Sequence, residues 1–198
     1  MIICKTPFRI SFFGGGTDYP AWFNENKGSV LGTTIDKYCY ISCRCLPPFF
    51  EHKHRIAYSK VETVKTIAEI QHPAVRAILE YMGINNGMEI HHDGDLPART
   101  GLGSSSSFTV GLLHALYAMK GEMLSKKRLA LEAIHIEKDI LKENVGLQDQ
   151  VFASVGGFKK IDFIDKATFH EMPITIANKR FDELRDHLML FFTGISRF

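Results

Sequence analysis

Apolar and polar positions alternate in short runs through the first third of the chain, which is the pattern of β-strands with one buried face. β-branched and aromatic residues fill these runs, and clusters rich in glycine and proline interrupt them. The segment Gly14–Pro20 is such a break. The pattern predicts strands over Ile2–Phe13, Gly28–Ile35, Tyr38–Leu46 and Arg55–Ser59.

The apolar spacing lengthens to that of an α-helix in the middle of the chain. Proline is favoured in the first turn of a helix, so Pro73 is predicted to open a second helix within the first helical segment. Ser125 is a suitable N-cap for a long helix. The spacing predicts helical structure over Val61–Met82, Ser104–Met119 and Ser125–Ile140, with a strand at Met88–His92.

The last quarter of the chain combines both patterns. Strands followed by grouped helices predict an α+β layer arrangement rather than strict β-α-β alternation. The predicted elements are a short helix at Asp149–Ser154, strands at Phe158–Ile164 and Thr168–Ile174, a helix at Phe181–His187 and a strand at Leu188–Thr193.

Composition excludes several classes of protein. With 45% hydrophobic and 23% charged residues over 198 positions, the chain reads as an ordinary globular protein and not as a disordered or fibrous one. A formal net charge of +2 provides no general attraction to nucleic acid or anionic membranes. The start of the sequence lacks a secretory signal pattern and no run approaches membrane-spanning length, so a cytoplasmic protein with free thiols is expected.

The segment Asp95–Ser107 carries the strongest chemical signal. It follows a predicted strand, contains Gly101 and Gly103, and opens a predicted helix with four consecutive serines. Glycines let the backbone approach a ligand, and the first turn of a helix offers unpaired N–H donors, so the segment predicts a phosphate-binding loop. It is neither a Walker A loop nor a Rossmann fingerprint, and the alternative is a serine-rich helix cap after an ordinary turn.

Glu137 falls on the apolar stripe of the predicted helix that begins after Ser125. The series Leu129, Ala133 and Leu141 shares its face at i, i+4 spacing. A carboxylate that faces inward must be paired or must bind a cation. An ion pair or a position at the edge of the stripe is the alternative, but a phosphate loop favours a magnesium ligand.

Three further polar residues lie beside turns. Asp149 follows a helix break, where its side chain can project into a cleft or cap a helix. Arg9 and Asp18 flank Gly14–Gly16, where a polar ligand can meet backbone amides. A surface turn after a strand is the alternative interpretation.

Together these segments resemble the superfamily of galactokinase, homoserine kinase, mevalonate kinase and phosphomevalonate kinase, known as the GHMP kinases. The matching residues are Pro7–Tyr19, Pro97–Ser106, Glu137 and Gly146–Gln150. The Gly-Leu-Gly-Ser-Ser-Ser element is the most specific of them. Within the superfamily, Arg-Ile-Ser-Phe-x-Gly-Gly-Gly-Thr-Asp and Val-Gly-Leu-Gln-Asp-Gln are most similar to the D-glycero-D-manno-heptose 7-phosphate kinases, which phosphorylate the anomeric hydroxyl.

The resemblance implies a role for each matching residue. Ser105 and Glu137 would coordinate Mg²⁺, Asp149 would act as base or orienter for the sugar hydroxyl, and Arg9 would stabilise charge near it. In the galactokinases a Glu and a His align with Gly15 and Gly16, so galactose is not the expected substrate. The residues implied to hold the ATP phosphates are Pro97, Gly101, Leu102, Gly103, Ser104, Ser105, Ser106 and Ser107. The residues implied to hold the sugar phosphate are Gly14, Gly15, Gly16, Thr17 and Asp18.

The same resemblance implies a fold and a domain division. Residues 1–175 would form the GHMP-kinase N-terminal domain, a ribosomal protein S5 domain 2-like α+β fold that binds ATP. Residues 176–198 would begin a ferredoxin-like C-terminal domain that is largely missing, because the superfamily's third glycine-rich motif is not found. The 198 residues alone are therefore expected to have little kinase activity.

The expected function is ATP-dependent phosphorylation of the C1 hydroxyl of D-glycero-D-manno-heptose 7-phosphate, with Mg²⁺ as the metal. ATP and a sugar phosphate are the expected ligands, with neither nucleic acid nor membrane as partner. A kinase for another sugar such as fucose and a non-catalytic ATP and sugar sensor are the alternatives. The presence of both Asp149 and Arg9 argues against a sensor.

Overall fold

Two long antiparallel strands form the centre of the fold. A computed structural model describes residues 1–97, 100–165 and 167–191, which build one seven-stranded sheet with helices packed against it. This arrangement confirms the predicted α+β class. The strands are β1 (Ile2–Phe13), β2 (Gly28–Cys45), β3 (His54–Ala57), β4 (Val61–Val64), β5 (Met88–Gly94), β6 (Phe158–Phe163) and β7 (Phe169–Pro173). The α-helices are α1 (Pro20–Phe23), α2 (Pro73–Tyr81), α3 (Ser104–Met119), α4 (Lys126–Ile134), α5 (Gln148–Val155) and α6 (Asn178–Asp186).

Strand β2 is one continuous strand where the sequence predicts two. The strand order in the sheet is β4-β3-β5-β2-β6-β7. Along one edge of β2, β5 pairs with Cys39–Cys45 and β6 pairs with Gly28–Thr33, while β1 pairs along the other edge of β2. The β1 register shifts between Pro7 and Arg9, so β2 bulges over residues 35–37 instead of ending there. The prediction of a break was wrong because three partner strands hold β2 together.

Two other predicted elements are wrong. Val61–Val64 is a strand, not the start of a helix, because it pairs antiparallel with β3; a short 3₁₀ turn at Ile67–Glu69 then leads to α2, whose start at Pro73 confirms the prediction. Residues 188–191 are not in a strand, and the rest of the predicted strand Leu188–Thr193 lies outside the described residues.

Helix α3 is the central helix, and its bounds confirm the prediction. It contacts β1 and β2, and its residues from Ser106 to Tyr117 are buried except His114. Gly111 allows the close approach, because a Cβ there would lie 2.8 Å from Thr6 Oγ1 and 3.2 Å from Ile41 Cγ1. This packing places the N-terminus of α3 and the predicted phosphate loop beside the middle of β1, at Pro7 and Arg9.

Helix α4 begins where Ser125 predicts, since the Ser125 hydroxyl accepts a hydrogen bond from Arg128 N at 3.2 Å. The helix then changes into a π-helical turn over His135–Ile140, in which Leu141 N donates to Ile136 O. Glu137 lies in this turn with no exposed surface. The inward orientation predicted for Glu137 is therefore confirmed, although the π geometry was not predicted.

The core consists of two clusters. The larger lies between α2, α3 and the β1-β2-β5-β3 part of the sheet, and the smaller contains Phe152 of α5 with Ile161 and Phe163 of β6. No helix within the described ranges is long and apolar enough to span a bilayer.

Candidate active site

The predicted phosphate loop forms a tight turn into α3. Gly101 and Gly103 both have φ near 78°, in the left-handed region that favours glycine. Gly103 is the N-cap of α3, and no side chain in the described residues caps the helix through a hydrogen bond there. The first N–H groups of α3 therefore have the geometry that binds an anion.

The four serines at the start of α3 divide into two kinds. The Ser106 hydroxyl donates to Glu137 Oε2 at 2.9 Å, and the Ser107 hydroxyl donates to Pro7 O at 2.8 Å. Both are buried, whereas Ser104 is partly exposed and Ser105 is exposed. Only Ser104 and Ser105 therefore present surface toward a ligand outside the helix.

Arg9 joins the loop to Asp149. Its Nε donates to Asp149 Oδ1 at 2.8 Å and a terminal nitrogen lies 2.6 Å from the same oxygen. Another terminal nitrogen donates to Gly101 O at 2.9 Å, and the Arg9 backbone N–H donates to Leu102 O at 3.1 Å. The structure thus brings together three predicted site elements that are far apart in the sequence.

Gly103 lies directly against this pair. A Cβ at Gly103 would be 3.3 Å from Arg9 Cγ and 3.5 Å from Asp149 Oδ2. A larger residue would separate the loop from the carboxylate. Gly103 thus serves both the left-handed turn and the close approach of the phosphate loop to Asp149.

The Gly14–Gly16 turn forms another wall of the same cavity. This cavity has a volume of about 620 Å³, and its lining includes Arg9, Gly15, Gly16, Gln148 and Asp149. Among the described residues, a Cβ at Gly16 would meet no atom within 4 Å, and one at Gly15 would meet only Ser11 Oγ at 3.8 Å and Gln148 Nε2 at 3.9 Å. The glycines therefore leave open space, as predicted.

Asp18 and Thr17 support this wall from behind. Asp18 is 1% exposed, and its two oxygens accept hydrogen bonds from Gly16 N at 3.0 Å and Gln148 N at 3.1 Å. The Thr17 hydroxyl accepts from Ser29 N at 3.0 Å and lies 2.8 Å from Gly14 O. The geometry places both side chains as supports of the turn, and direct contact with a sugar stays a prediction for them.

Glu137 is at the centre of a buried polar network. Its Oε2 accepts hydrogen bonds from Ser106 and from Gln150 Nε2, and Gln150 is itself fully buried. Burial raises the pKa of Glu137 to about 7, although the neighbouring side chains of Gln150, Thr109 and Ser106 act in the opposite direction. An uncompensated buried carboxylate is costly, so this network favours a cation or a proton.

The residues around Glu137 fit a magnesium ion in part. Glu137 Oε1 is buried without a hydrogen-bond partner among the described residues, so one carboxylate oxygen can serve as a ligand. No group of three His, Cys, Asp or Glu side chains forms a metal site in the described ranges. Mg²⁺ would take its other ligands from water, hydroxyls and phosphate oxygens, which is its usual preference.

Several predicted site residues differ in their surroundings from what the sequence suggests. The hydroxyl that donates a hydrogen bond to Glu137 belongs to Ser106, not to Ser105, which the sequence predicts as the second metal ligand. Pro97 is exposed at the end of a described segment, and residues 98 and 99 of the predicted loop lie outside the described residues. The metal-binding roles of Ser105 and Glu137 and the ATP contact of Pro97 stay predictions.

Sequence reasoning missed Gln148 and Gln150. Both belong to the segment Gly146–Gln150, but only its aspartate was selected because a glutamine has no charge that demands a partner. Gly146 is also essential there, since a Cβ at that position would lie 2.0 Å from Asp18 Oδ2. The backbone N–H of Gln148 donates to Asp18, 130 residues away in the sequence, so no local pattern indicates this contact.

A family model matches the middle of the chain. Residues 64–157, which include the phosphate loop, Glu137 and Asp149, match the model described as GHMP kinases N terminal domain. The match confirms the superfamily resemblance.

Curated relatives match nearly the whole chain. A D-glycero-alpha-D-manno-heptose 7-phosphate kinase from Campylobacter jejuni is 28% identical over 98% of this chain and 60% of that protein. A galactokinase from Pyrococcus furiosus is 25% identical over 99% of this chain and 54% of that protein. The chain thus spans a little over half the length of these relatives.

Solved structures share the fold. A D-glycero-D-manno-heptose 1-phosphate kinase from Bacteroides thetaiotaomicron superposes with a TM-score of 0.81 at 24% identity, covering 93% of this chain and 63% of that one. A galactokinase from Lactococcus lactis, solved with galactose, gives a TM-score of 0.66 at 20% identity over 89% of this chain and 48% of that one. These similarities confirm the fold of the GHMP-kinase N-terminal domain.

Proposed function

Because residues 64–157 of this chain match the family model of the GHMP kinase N-terminal domain, we propose that the chain carries the ATP-binding and catalytic part of a sugar kinase. The acceptor in this proposal is the anomeric C1 hydroxyl of D-glycero-D-manno-heptose 7-phosphate. The observation that supports it best is the Arg9 contact, which joins Asp149 to the Gly101 carbonyl at the edge of one cavity. Such an arrangement places an acid beside a phosphate loop, as phosphoryl transfer requires.

The loop would hold the phosphates of ATP. N–H groups in the first turn of α3, the partly exposed Ser104 and the exposed Ser105 lie at its N-terminus, where the helix dipole stabilises negative charge. Mg²⁺ would be held by Glu137 and by the phosphate oxygens, and when bound it would neutralise charge that develops on the transferred group. Gln150 and Ser106 would keep the Glu137 carboxylate in place.

Asp149 would orient the acceptor hydroxyl and accept its proton. Arg9 directs two of its nitrogens at Asp149 Oδ1, which fixes the carboxylate at the cavity edge with a side-chain exposure of 27%. A fixed carboxylate within reach of a bound hydroxyl supplies both alignment and general-base assistance. Arg9 thus acts through Asp149 in this proposal and contributes positive charge beside the phosphates.

The cavity shape supports a sugar larger than galactose. Gly15 and Gly16 leave free the space that the aligned Glu and His of galactokinases would occupy. The names of two relatives place a phosphate at opposite ends of the heptose, one at C7 and one at C1. Both names support a heptose phosphate as the substrate class, and the 7-phosphate of this proposal is the one that the Campylobacter jejuni relative's name gives.

We also propose the predicted domain boundary near residue 175. Strand β7 ends at Pro173, and α6 has no buried residue, so the described residues beyond β7, up to residue 191, do not contribute to either core cluster. A cytoplasmic location follows in this proposal from the use of ATP and a sugar phosphate.

A kinase assay on the complete gene product tests the proposal. ADP release is measured with heptose 7-phosphate, galactose, fucose and mannose, and phosphorus NMR identifies the phosphorylated position. We expect turnover with the heptose 7-phosphate and a 1,7-bisphosphate as product. Turnover with another sugar alone would contradict the acceptor, and nucleotide binding without turnover on any sugar would favour a sensor.

The role of Asp149 is tested by Asp149→Asn, which keeps the shape of the side chain. General-base assistance is worth roughly 10² to 10⁴ in rate, so we expect kcat to fall by that factor while the affinity for ATP is unchanged. Asp186→Asn, at an exposed position of α6, is the matched control. A wild-type rate in Asp149→Asn would exclude the assigned role.

A further inference from the structure

Gln148 is a buried amide in the wall of the cavity. It is the first residue of α5, and its backbone N–H donates to Asp18 Oδ2 at 3.1 Å. The residue is 8% exposed, and it lines the cavity between Asp149 and the Gly14–Gly16 turn. The backbone N–H of Gln148 therefore helps to hold Asp18 in place, whereas the side chain of Gln148 forms part of the cavity wall.

The side-chain amide of Gln148 lacks hydrogen bonds that a buried amide normally makes. Its Oε1 is buried and has no partner in the part of the chain that the structure describes. Its Nε2 lies 3.9 Å from the position that a Cβ would take at Gly15, so the amide borders the open space there. An unsatisfied buried polar group lowers the stability of the fold unless a ligand supplies the missing partner.

The chemistry of the amide indicates what would supply it. A primary amide presents an acceptor oxygen and a donor nitrogen side by side, and it carries no charge. A hydroxyl both donates and accepts, so two neighbouring hydroxyls of a sugar match the two ends of the amide. A phosphate offers acceptors only, and it would leave Oε1 without a donor.

We propose that Gln148 binds hydroxyl groups of the sugar acceptor and thereby determines which sugar the site accepts. The inference rests on the proposed function, because it assigns the cavity to the acceptor. The glycine at position 15 leaves the space beside the amide nitrogen open, since a Cβ there would lie 3.9 Å from Gln148 Nε2. Gln148 is a positioning and specificity residue in this proposal, and Asp149 beside it remains the residue that takes the proton.

Gln148→Met tests the proposal directly. The substitution keeps the length of the side chain and the backbone N–H that Asp18 accepts, and it removes the amide alone. We expect the KM for heptose 7-phosphate to rise at least about 10-fold, because the loss of a hydrogen bond to a substrate hydroxyl has roughly this effect. The kcat should change less than about 3-fold, and the KM for ATP should stay the same. Gln71→Met, at an exposed glutamine, is the matched control.

A series of monodeoxy analogues separates direct contact from a structural effect. The wild-type protein is expected to use one or two of the analogues at least about 10-fold less well than the parent sugar, and Gln148→Met is expected to use those analogues and the parent equally. Equal loss on every analogue, with discrimination retained, would show that Gln148 only supports the wall. Gln148→Asn, which retracts the amide by one methylene, gives the same comparison if Gln148→Met does not fold.

The outcomes also separate this inference from the proposed function. If the wild-type protein phosphorylates heptose 7-phosphate and Gln148→Met discriminates among the analogues as the wild type does, only the role of Gln148 is wrong. If the wild-type protein phosphorylates none of the sugars, the proposed function fails and the role of Gln148 fails with it.

Discussion

The surroundings of Glu137 determine whether its carboxyl group is protonated. It is fully buried in a π-helical turn, it accepts hydrogen bonds from Ser106 and Gln150 on one oxygen, and its other oxygen has no partner among the described residues. Burial raises the pKa of Glu137 to about 7. Without a bound cation, the protonated form of this carboxyl is therefore more compatible with the fold than the ionised form.

The pH dependence of stability follows from that raised pKa. The native state holds the proton up to about pH 7, whereas the unfolded chain releases it near its ordinary value of about 4.3, so the stabilisation is full at low pH and lost as pH rises through this window. In metal-free protein we expect the free energy of unfolding of the wild type to fall relative to that of Glu137→Gln between pH 5 and pH 8, by up to roughly 3 kcal/mol. Urea denaturation at the two pH values measures this.

Glu51→Gln, at an exposed glutamate, provides the matched comparison for that experiment. It should track the wild type at both pH values. A constant difference between wild type and Glu137→Gln from pH 5 to pH 8 would show that the carboxyl titrates normally in the fold.

A side chain at position 15 and one at position 16 would affect the backbone differently. Gly16 has a φ of 94°, so a histidine there would strain the backbone as well as fill the cavity. Gly15 does not have a positive φ, and a Cβ there has room. Position 15 therefore gives the cleaner test of available space.

Gly15→Glu is expected to raise the KM for the sugar phosphate at least about 10-fold while leaving the affinity for ATP unchanged, because a side chain of this size fills the acceptor space and its charge repels a phosphate. Gly15→Ala is the control for the loss of glycine and should change the KM less than about 3-fold. Steady-state kinetics on both substrates makes the comparison. An unchanged KM in Gly15→Glu would place the acceptor elsewhere.

Helix α3 depends on close packing against the sheet at one point. The helix is buried on nearly all sides, so it cannot move away from β1 and β2 without opening the larger core cluster. Gly111 faces Thr6 and Ile41 at distances that leave no room for a methyl group. The position of the phosphate loop at the start of α3 therefore depends on a glycine two turns away.

Gly111→Ala is expected to destabilise the protein by roughly 1 to 3 kcal/mol, because overpacking outweighs the gain of about 1 kcal/mol in helix propensity. Chemical denaturation measures the change. Thr6→Ala removes the hydroxyl that the new methyl group would meet, so the double variant should be more stable than the sum of the single changes predicts. Additive effects would show that the contact is not the source of the strain.

At the scale of the whole molecule, the segment after β7 is the least integrated part. Helix α6 has no buried residue, and the apolar side chains of Leu188, Met189, Leu190 and Phe191 are all exposed. Exposed apolar side chains that lie next to one another favour association. The chain spans 60% of the length of its heptose kinase relative.

We expect the 198-residue chain alone to fold, to self-associate and to have little kinase activity. A site that admits water holds its substrates less rigidly, and a misplacement of about 1 Å can lower a rate roughly 10²-fold. Size-exclusion chromatography and an ADP-release assay test the two parts. Leu190→Lys should shift the chain toward monomer, whereas Phe49→Lys, at an exposed position far away in the sequence, should not. A monomer with a normal kinase rate would contradict the expectation.

The sequence by itself determined the elements whose signals are local. The alternation of β1, the Ser125 cap, the small residues that open α3 and the inward position of Glu137 each follow from neighbours within about one or two turns or strand repeats. The sequence also indicated the turn at Gly101 and Gly103, because few residues other than glycine adopt the left-handed backbone conformation found there. The superfamily resemblance rested on these same local patterns.

Only the tertiary structure decided what depends on contacts between distant segments. Strand β2 continues through its bulge because three strands pair with it, and Val61–Val64 is a strand because β3 is its partner. Arg9 meets Asp149 across 140 residues, and Asp18 meets the backbone of Gln148 across 130 residues. Local patterns cannot specify such pairs, since the free energy that selects them comes from burial and hydrogen bonding that exist only once the sheet and α3 have packed.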